Sequence, residues 1–313
     1  MMRKRMVKRM QWLLETALLV AVSFPIALLP RNAAVKVGEV LGLLLFRLWG
    51  SRRAVAVDNI LRAQQEGALD SGAQAGEVAR QSFVNVGRSF AEVLQIYFGR
   101  GRAIVAGAEL RGLEHYRKAQ EKGRGVIVIT GHYGNWELMA LAFGVKTGKV
   151  SVVARRQNNP VLNALIERVR ARYGNAVIYK QGALKQILGL LRKGGTVGIL
   201  MDQAVLSDEG FVVPFLGRGA WTTRMPSLLA RKTGAPVVPV FISRKGDGHV
   251  ITIYPEIPLS TNERAEEALI EDTERFSAAI EAVIRRDPRE WLWIHRRWKR
   301  TGSSAVQQSM AQP

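Results

Sequence analysis

His132 and Glu137 are the two residues whose types and spacing first suggest chemistry. A histidine titrates near neutrality and can take a proton from a hydroxyl, provided its ring is held with the correct nitrogen toward the substrate. A carboxylate can do that holding. With the chain folding back between them, Glu137 could reach one ring nitrogen of His132 and leave the other free. The pair resembles the base and orienting acid of a hydrolytic triad without its nucleophile, whose place a substrate hydroxyl would take. The same letters also describe a plain helix start, with Glu137 favouring the positive end of the dipole and His132 as a polar loop residue.

The elements needed to position this pair can be read around it. Val126 to Ile129 form a short apolar β-branched run, which predicts a buried strand. Gly131 and Gly134 permit a tight turn, and Asn135 is a natural N-cap for the next helix. His132 is thereby expected in a loop at the carboxyl end of a strand, the edge where open α/β sheets bind ligands.

From Gly125 onward predicted strands and helices alternate. Strands are expected over Val150 to Ala154, Ala176 to Tyr179, Thr196 to Met201, Phe211 to Phe215, Val237 to Ser243 and His249 to Tyr254. Helices are expected over Pro160 to Tyr173, Ala183 to Lys193, Thr223 to Thr233 and Glu263 to Arg286. Gly246-Asp247-Gly248 predicts a hairpin that makes the last strands antiparallel. The fold class is α/β, a mixed and partly parallel sheet flanked by helices. The first hundred residues read as mostly helical, with an apolar stripe through Phe83, Val86, Phe90, Val93, Leu94 and Tyr97.

The N-terminus carries Arg3, Lys4, Arg5, Lys8 and Arg9 ahead of an apolar run from Trp12 to Leu29. As a helix that run is roughly 27 Å long, enough for a bilayer core, although Glu15 and Pro25 interrupt it. The basic flank places the N-terminus on the cytoplasmic side. A cleaved signal peptide and a helix lying in the interface are the alternatives. Each puts the protein at a membrane. The expected organisation is a basic N-terminus and membrane anchor over 1–30, one α/β domain over 31–300 and a disordered tail over 301–313.

Lys and Arg number 46 against 26 Asp and Glu, a net charge of +20 that calls for a polyanionic partner. Nucleic acid would satisfy the charge, but no nucleic-acid-binding motif accompanies it and a leading apolar segment argues against it. There is no cysteine, which excludes disulfides and a cysteine acyl-enzyme. No GxSxG elbow, true P-loop, HExxH or histidine cluster occurs, so neither a serine esterase nor a metal site is expected.

Ordered blocks of sequence carry a family likeness. Gly131-His132-Tyr133-Gly134-Asn135-Trp136-Glu137 resembles the active-site block of the lysophospholipid acyltransferase superfamily, in particular its lipid A late (lauroyl/myristoyl) acyltransferase branch. Arg155 with Asn159-Pro160, Arg172 before Gly174, and the strand ending in Asp202-Gln203 are similar to later family blocks. So are the loop with Thr222 and Thr223, and Trp291-Leu292-Trp293-Ile294-His295-Arg296-Arg297-Trp298-Lys299.

The resemblance implies transfer of a fatty acyl chain from acyl carrier protein to a hydroxyl of a lipid A precursor, without an acyl-enzyme or a cofactor. His132 would be the base and Glu137 its orienting acid. Asn135, Arg155, Arg172, Asp202, Gln203, Thr222, Thr223, Arg296 and Arg297 would bind substrate, the last two on phosphate with Trp293 and Trp298 at headgroup depth. The partners implied are acyl carrier protein, an anionic lipid acceptor and a membrane, with no nucleic acid. The site implied is the bacterial inner membrane, catalytic domain on the cytoplasmic side. A coenzyme A donor, or a lysophospholipid or other glycolipid acceptor, is the alternative.

Overall fold

The computed structural model describes residues 2–299 and 301. The expected tail over 301–313 lies outside the described residues apart from Thr301.

Four helices lead, α1 (Met2–Leu28), α2 (Arg31–Leu48), α3 (Gly50–Gln65) and α4 (Ala75–Tyr97), followed by α5 (Arg102–Gly107). The α/β part continues with β1 (Glu109–Arg111), α6 (Leu113–Glu121), β2 (Val126–Thr130), α7 (Trp136–Thr147), β3 (Val150–Ala154), α8 (Pro160–Arg172) and β4 (Asn175–Tyr179). Then come α9 (Ala183–Arg192), β5 (Thr196–Leu200), β6 (Gly210–Phe215), β7 (Arg218–Thr223), α10 (Met225–Thr233), β8 (Val237–Lys245), β9 (Gly248–Ile253) and α11 (Ala265–Arg286).

Seven strands make one sheet in the order β1-β9-β8-β2-β5-β3-β4. Strands β8, β2, β5, β3 and β4 are mutually parallel. The β8–β9 hairpin reverses direction as its Gly-Asp-Gly turn requires, and β1 pairs parallel to β9. The mixed sheet expected from the sequence is therefore present.

The central strands are apolar on both sides because both sides are covered. Along β2, Ile127 and Ile129 enter a core with Ile60 of α3, Phe83 of α4, Leu229 of α10 and Phe276 of α11. Val126 and Val128 enter the opposite core with Tyr116 of α6, Leu138 and Leu141 of α7 and Val169 of α8. The result is a helix–sheet–helix sandwich.

Sequence periodicity missed the three-residue β1 and the short α5, which carry too few residues for a pattern. It also took the stretch after Phe215 as a loop. There Leu216 and Gly217, both with positive φ, turn β6 back onto β7 as an antiparallel hairpin. That hairpin uses up Thr223, so α10 starts at Met225 instead of Thr223.

Helix α1 is long and apolar enough to cross a membrane. Thr16, Ser23 and Ala27 are buried against the body, whereas Leu14, Leu18 and Val22 are exposed. The Asn159 side chain holds it. Its Oδ1 caps α8 by accepting from Val161 and Leu162 N–H, and its Nδ2 donates to the Trp12 carbonyl at 3.0 Å. At the other end Gln95 donates to the Leu29 carbonyl at 2.8 Å.

Candidate active site

Strands β2 and β5 are neighbours in register, with Thr130 opposite Leu200. Two residues beyond each strand end lie His132 and Asp202, so the register itself brings them together. The Asp202 carboxylate contacts His132 twice. One oxygen accepts from the His132 backbone N–H at 2.8 Å and the other faces ring Nδ1 at 2.8 Å. The Trp291 indole donates to the same carboxylate at 2.8 Å. Gly131 lets the two ends close, because a Cβ there would meet the Asp202 side chain.

The loop carrying His132 is fastened from behind. Leu292 N–H donates to the His132 carbonyl at 3.0 Å, Gly134 N–H donates to the Glu290 carbonyl at 2.9 Å, and Tyr133 bridges Trp291. Gly134 sits at φ +57°, and a Cβ would drive into the Ile242 carbonyl, so only glycine fits comfortably. Asn135 caps α7 as expected, accepting from Leu138 N–H at 3.1 Å, and its Nδ2 donates to buried Glu92 at 3.1 Å. Glu92 in turn takes a bidentate pair from Arg244 and lies 3.2 Å from His249 Nε2, well removed from solvent.

Asp202 is 2 % exposed. Burial raises its pKa, but the adjoining imidazole and the bonds from His132 and Trp291 more than offset this and bring it down to about 2. For His132, burial opposes protonation and the Asp202 charge favours it, with the net direction upward. The aspartate is thus ionised, orients the ring and stabilises an imidazolium. Among the described residues the other ring nitrogen, Nε2, meets only the Gln203 amide, at 3.2 Å.

The contact between His132 and Glu137 expected from the sequence is not formed. Glu137 does occupy the first turn of α7, but its carboxylate takes both Nε and Nη2 of Arg170, at 2.8 and 2.7 Å, and the Tyr97 hydroxyl at 2.7 Å. Burial raises its pKa, and those three donors more than compensate, so the net direction is downward. Two guanidinium bonds in a poorly solvated cleft outweigh one imidazole contact.

His132 opens into a cleft of about 1010 Å³. Its lining is apolar at Val86, Phe90 and Val93 of α4, Ala140 of α7 and Ile166 of α8. It is polar at Arg155, Gln157, Lys180, Gln203 and Thr223. Of the expected substrate-binding residues, Arg155, Gln203 and Thr223 line it. Asn135 borders it too, but both ends of its amide are already engaged in capping α7 and contacting Glu92. The others fall elsewhere. Arg172 and Arg296 are exposed outside the cleft. Thr222 and Arg297 are buried together, with Arg297 Nη2 donating to Thr222 Oγ1 and Nη1 to the Trp221 carbonyl. Arg297 is 1 % exposed and its guanidinium lies over Phe215, so it is a core cation and no surface phosphate ligand. Trp293 and Trp298 are likewise buried instead of sitting at headgroup depth.

Three cleft residues escaped the sequence reading. Arg170 was overlooked beside Arg172, although two positions on a helix are roughly 200° apart and point in different directions. Tyr97 looked like the end of an apolar stripe. His295 lies in the C-terminal Trp291–Lys299 block, where no local signal sets it apart. Among the described residues no cluster of three metal-ligating side chains occurs.

The family model for bacterial lipid A biosynthesis acyltransferases matches residues 3–300. The lipid A biosynthesis lauroyltransferase of Escherichia coli (strain K12) is 29 % identical over 227 residues, covering 70 % of this chain and 71 % of that protein. The palmitoleoyltransferase of the same organism is 28 % identical over 225 residues, 70 % of each chain. The phosphatidylinositol mannoside acyltransferase of Mycolicibacterium smegmatis (strain ATCC 700084 / mc(2)155) is 27 % identical over 191 residues, 59 % of this chain and 60 % of that one. A match over nearly the whole chain, on a site with a steered imidazole beside an apolar cleft, makes this protein an acyltransferase belonging to the bacterial lipid A biosynthesis acyltransferase family.

Proposed function

We propose that this protein is a membrane-bound O-acyltransferase that moves a fatty acyl chain from acyl carrier protein to a hydroxyl of a lipid A precursor. The observation that carries the reading is the His132 ring, held at Nδ1 by Asp202 and lining a cleft that combines apolar side chains of α4, α7 and α8 with polar ones that include Arg155. With the Nδ1 proton shared toward Asp202, Nε2 has the free lone pair a general base needs. The acceptor hydroxyl displaces Gln203 from that lone pair and gives its proton to Nε2. Its oxygen forms the new bond to the thioester carbonyl carbon, the carbon–sulfur bond breaks, and the leaving thiolate takes the proton from the imidazolium. Asp202 remains ionised throughout, compensating the imidazolium charge.

Glu137 has a separate part in this scheme. Paired with Arg170 and Tyr97, it fixes the wall between α4, α7 and α8, so its effect on catalysis is through the shape of the cleft. Val86, Phe90, Val93 and Ile166 would receive the acyl chain, while Arg155 would face the charged part of the donor or acceptor. The +20 net charge suits an acidic carrier and an anionic lipid. Clamping of α1 to the body at both Trp12 and Leu29 supports a catalytic domain on the face where the basic flank belongs, the cytoplasmic face of the inner membrane.

The mannoside acyltransferase relatives favour a second reading, with another glycolipid as acceptor. Mass spectrometry of lipids after incubation with acyl carrier protein thioester, or with acyl coenzyme A, separates them. A gain of one acyl chain on a lipid A precursor with the carrier thioester is the expected result. A gain confined to a different glycolipid or a lysophospholipid supports the second reading, and no gain on any lipid overturns both.

A further inference from the structure

A second histidine, His295, lines the same cleft as His132. It belongs to the segment already wired into the dyad, since Trp291 donates to Asp202 and Leu292 to the His132 carbonyl. Its backbone is held from α3. The buried Asn59 amide donates to the carbonyls of Trp293 and His295, both at 3.0 Å, and Arg297 N–H donates to the His295 carbonyl at 2.9 Å. Arg52 donates to the neighbouring Ile294 carbonyl at 3.2 Å. These bonds fix the backbone that carries the ring.

The two nitrogens of that ring stand in different surroundings. Nδ1 is buried and has no hydrogen-bond partner among the described residues. Nε2 is the accessible nitrogen of a ring that borders the cleft, with no protein partner of its own among the described residues. A buried N–H without an acceptor costs more than a buried lone pair without a donor, so the proton belongs on Nε2. Burial lowers the pKa of this histidine to about 4, with the cations Arg297 and Arg52 and the His132 ring adding to it and Asp202 opposing. The ring is neutral at pH 7 and cannot serve as a second base or acid there.

We propose that His295 is a neutral hydrogen-bond donor, through Nε2–H, to the thioester carbonyl oxygen as negative charge develops on it. One proton and one electron pair move at His132 while His295 gives up neither, and its bond strengthens as the carbonyl becomes an alkoxide. A neutral imidazole suits this task because a cation would bind ground-state anions and repel the imidazolium forming at His132. The proposal rests on the acyl-transfer reading above for its substrate and on the cleft geometry for its residue.

Two measurements test it. In acyl-transfer assays His295→Leu should lower kcat about 10²-fold, as loss of one such donor does elsewhere, with acceptor KM within about threefold. His295→Gln, whose amide can place an N–H near the same point, should recover at least tenfold of that loss. Both variants should keep the acidic inflection of wild type, since the base is untouched. An unchanged kcat in His295→Leu, a loss confined to KM, or a Gln variant no better than Leu would overturn the assignment.

The second readout needs no activity or variant folding. The chain has only four histidines, so ¹⁵N-histidine spectra of the wild-type protein are tractable. They should show one ring neutral at pH 6 with its proton on Nε2, shifting when a non-hydrolysable acyl-pantetheine amide binds. A protonated His295 at pH 6, an Nδ1–H tautomer, or no response to a bound amide would reject the donor role. Failure of wild type to acylate any lipid would instead sink the functional reading, leaving the tautomer result to decide for itself.

Discussion

Asp202 grips His132 at two points, its ring and its backbone N–H, so the aspartate sets both the tautomer and the position of the imidazole. The grip depends on two adjacent parallel strands ending level with each other.

Asp202→Asn should therefore cost catalysis far more than binding. The amide can hold the ring in the wrong tautomer and cannot stabilise an imidazolium. We expect kcat to fall by roughly 10²–10⁴-fold with acceptor KM nearly unchanged. Steady-state kinetics of the purified variant check this, and a loss residing in KM alone would contradict it.

The pH profile follows from the same contact. His132 must be neutral to act as a base, and its pKa is raised by Asp202, so the rate should climb with pH through an inflection above 6.5. Removing the charge in Asp202→Asn should move that inflection to lower pH. For stability the sign is opposite on the histidine. Its raised pKa stabilises the fold fully below about 6.5, and that contribution fades as pH rises through the folded-state value. The Asp202 contribution is present above about pH 4 and is lost as pH falls toward about 2.

Glu137→Gln separates this arrangement from the one expected from sequence. Were Glu137 the partner of His132, the variant would shift the acidic inflection. With Glu137 on Arg170, the inflection should stay where it is and thermal stability should drop instead. Removing one member of a largely buried pair costs about 3 kcal/mol. A double-mutant cycle with Arg170→Met should give a coupling of at least about 1 kcal/mol, read by denaturant unfolding.

Arg296 and Arg297, adjacent in sequence, should behave as different kinds of residue. Arg297→Ala leaves the Thr222 hydroxyl and Trp221 carbonyl without their donor and opens a void against Phe215. We expect a loss of about 3 kcal/mol in stability. Arg296→Ala should fall within about 0.5 kcal/mol of wild type. Vesicle pelleting with anionic lipid should be unaffected by the Arg297 change in whatever fraction remains folded.

The anchor can be tested by deletion. Removing the residues before Pro30 should release much of the protein from membranes, and fractionation would show it. The same deletion uncovers the buried seats of Thr16, Ser23 and Ala27 on the body, so a drop in thermal stability should accompany release.

The sequence by itself determined much of this protein. Apolar β-branched runs and glycine punctuation are local signals, and they located β2, β3, β4, β5 and β8 to within a residue or two. Asn135 announced its helix because capping depends on a neighbour three residues away. The loop holding His132 and its place at a sheet edge were legible for the same reason.

Partners were decided only by the tertiary structure. Nothing local distinguishes Glu137 at five residues from Asp202 at seventy as the acid for His132. The choice falls to strand register, which levels the ends of β2 and β5, and to Arg170 and Tyr97, which draw Glu137 across the cleft. Burial divided Arg296 from Arg297 and sent the tryptophans inward in the same way. Side-chain pairing over long separations depends on which surfaces the packed sheet brings into contact, and a linear pattern carries no record of those distances.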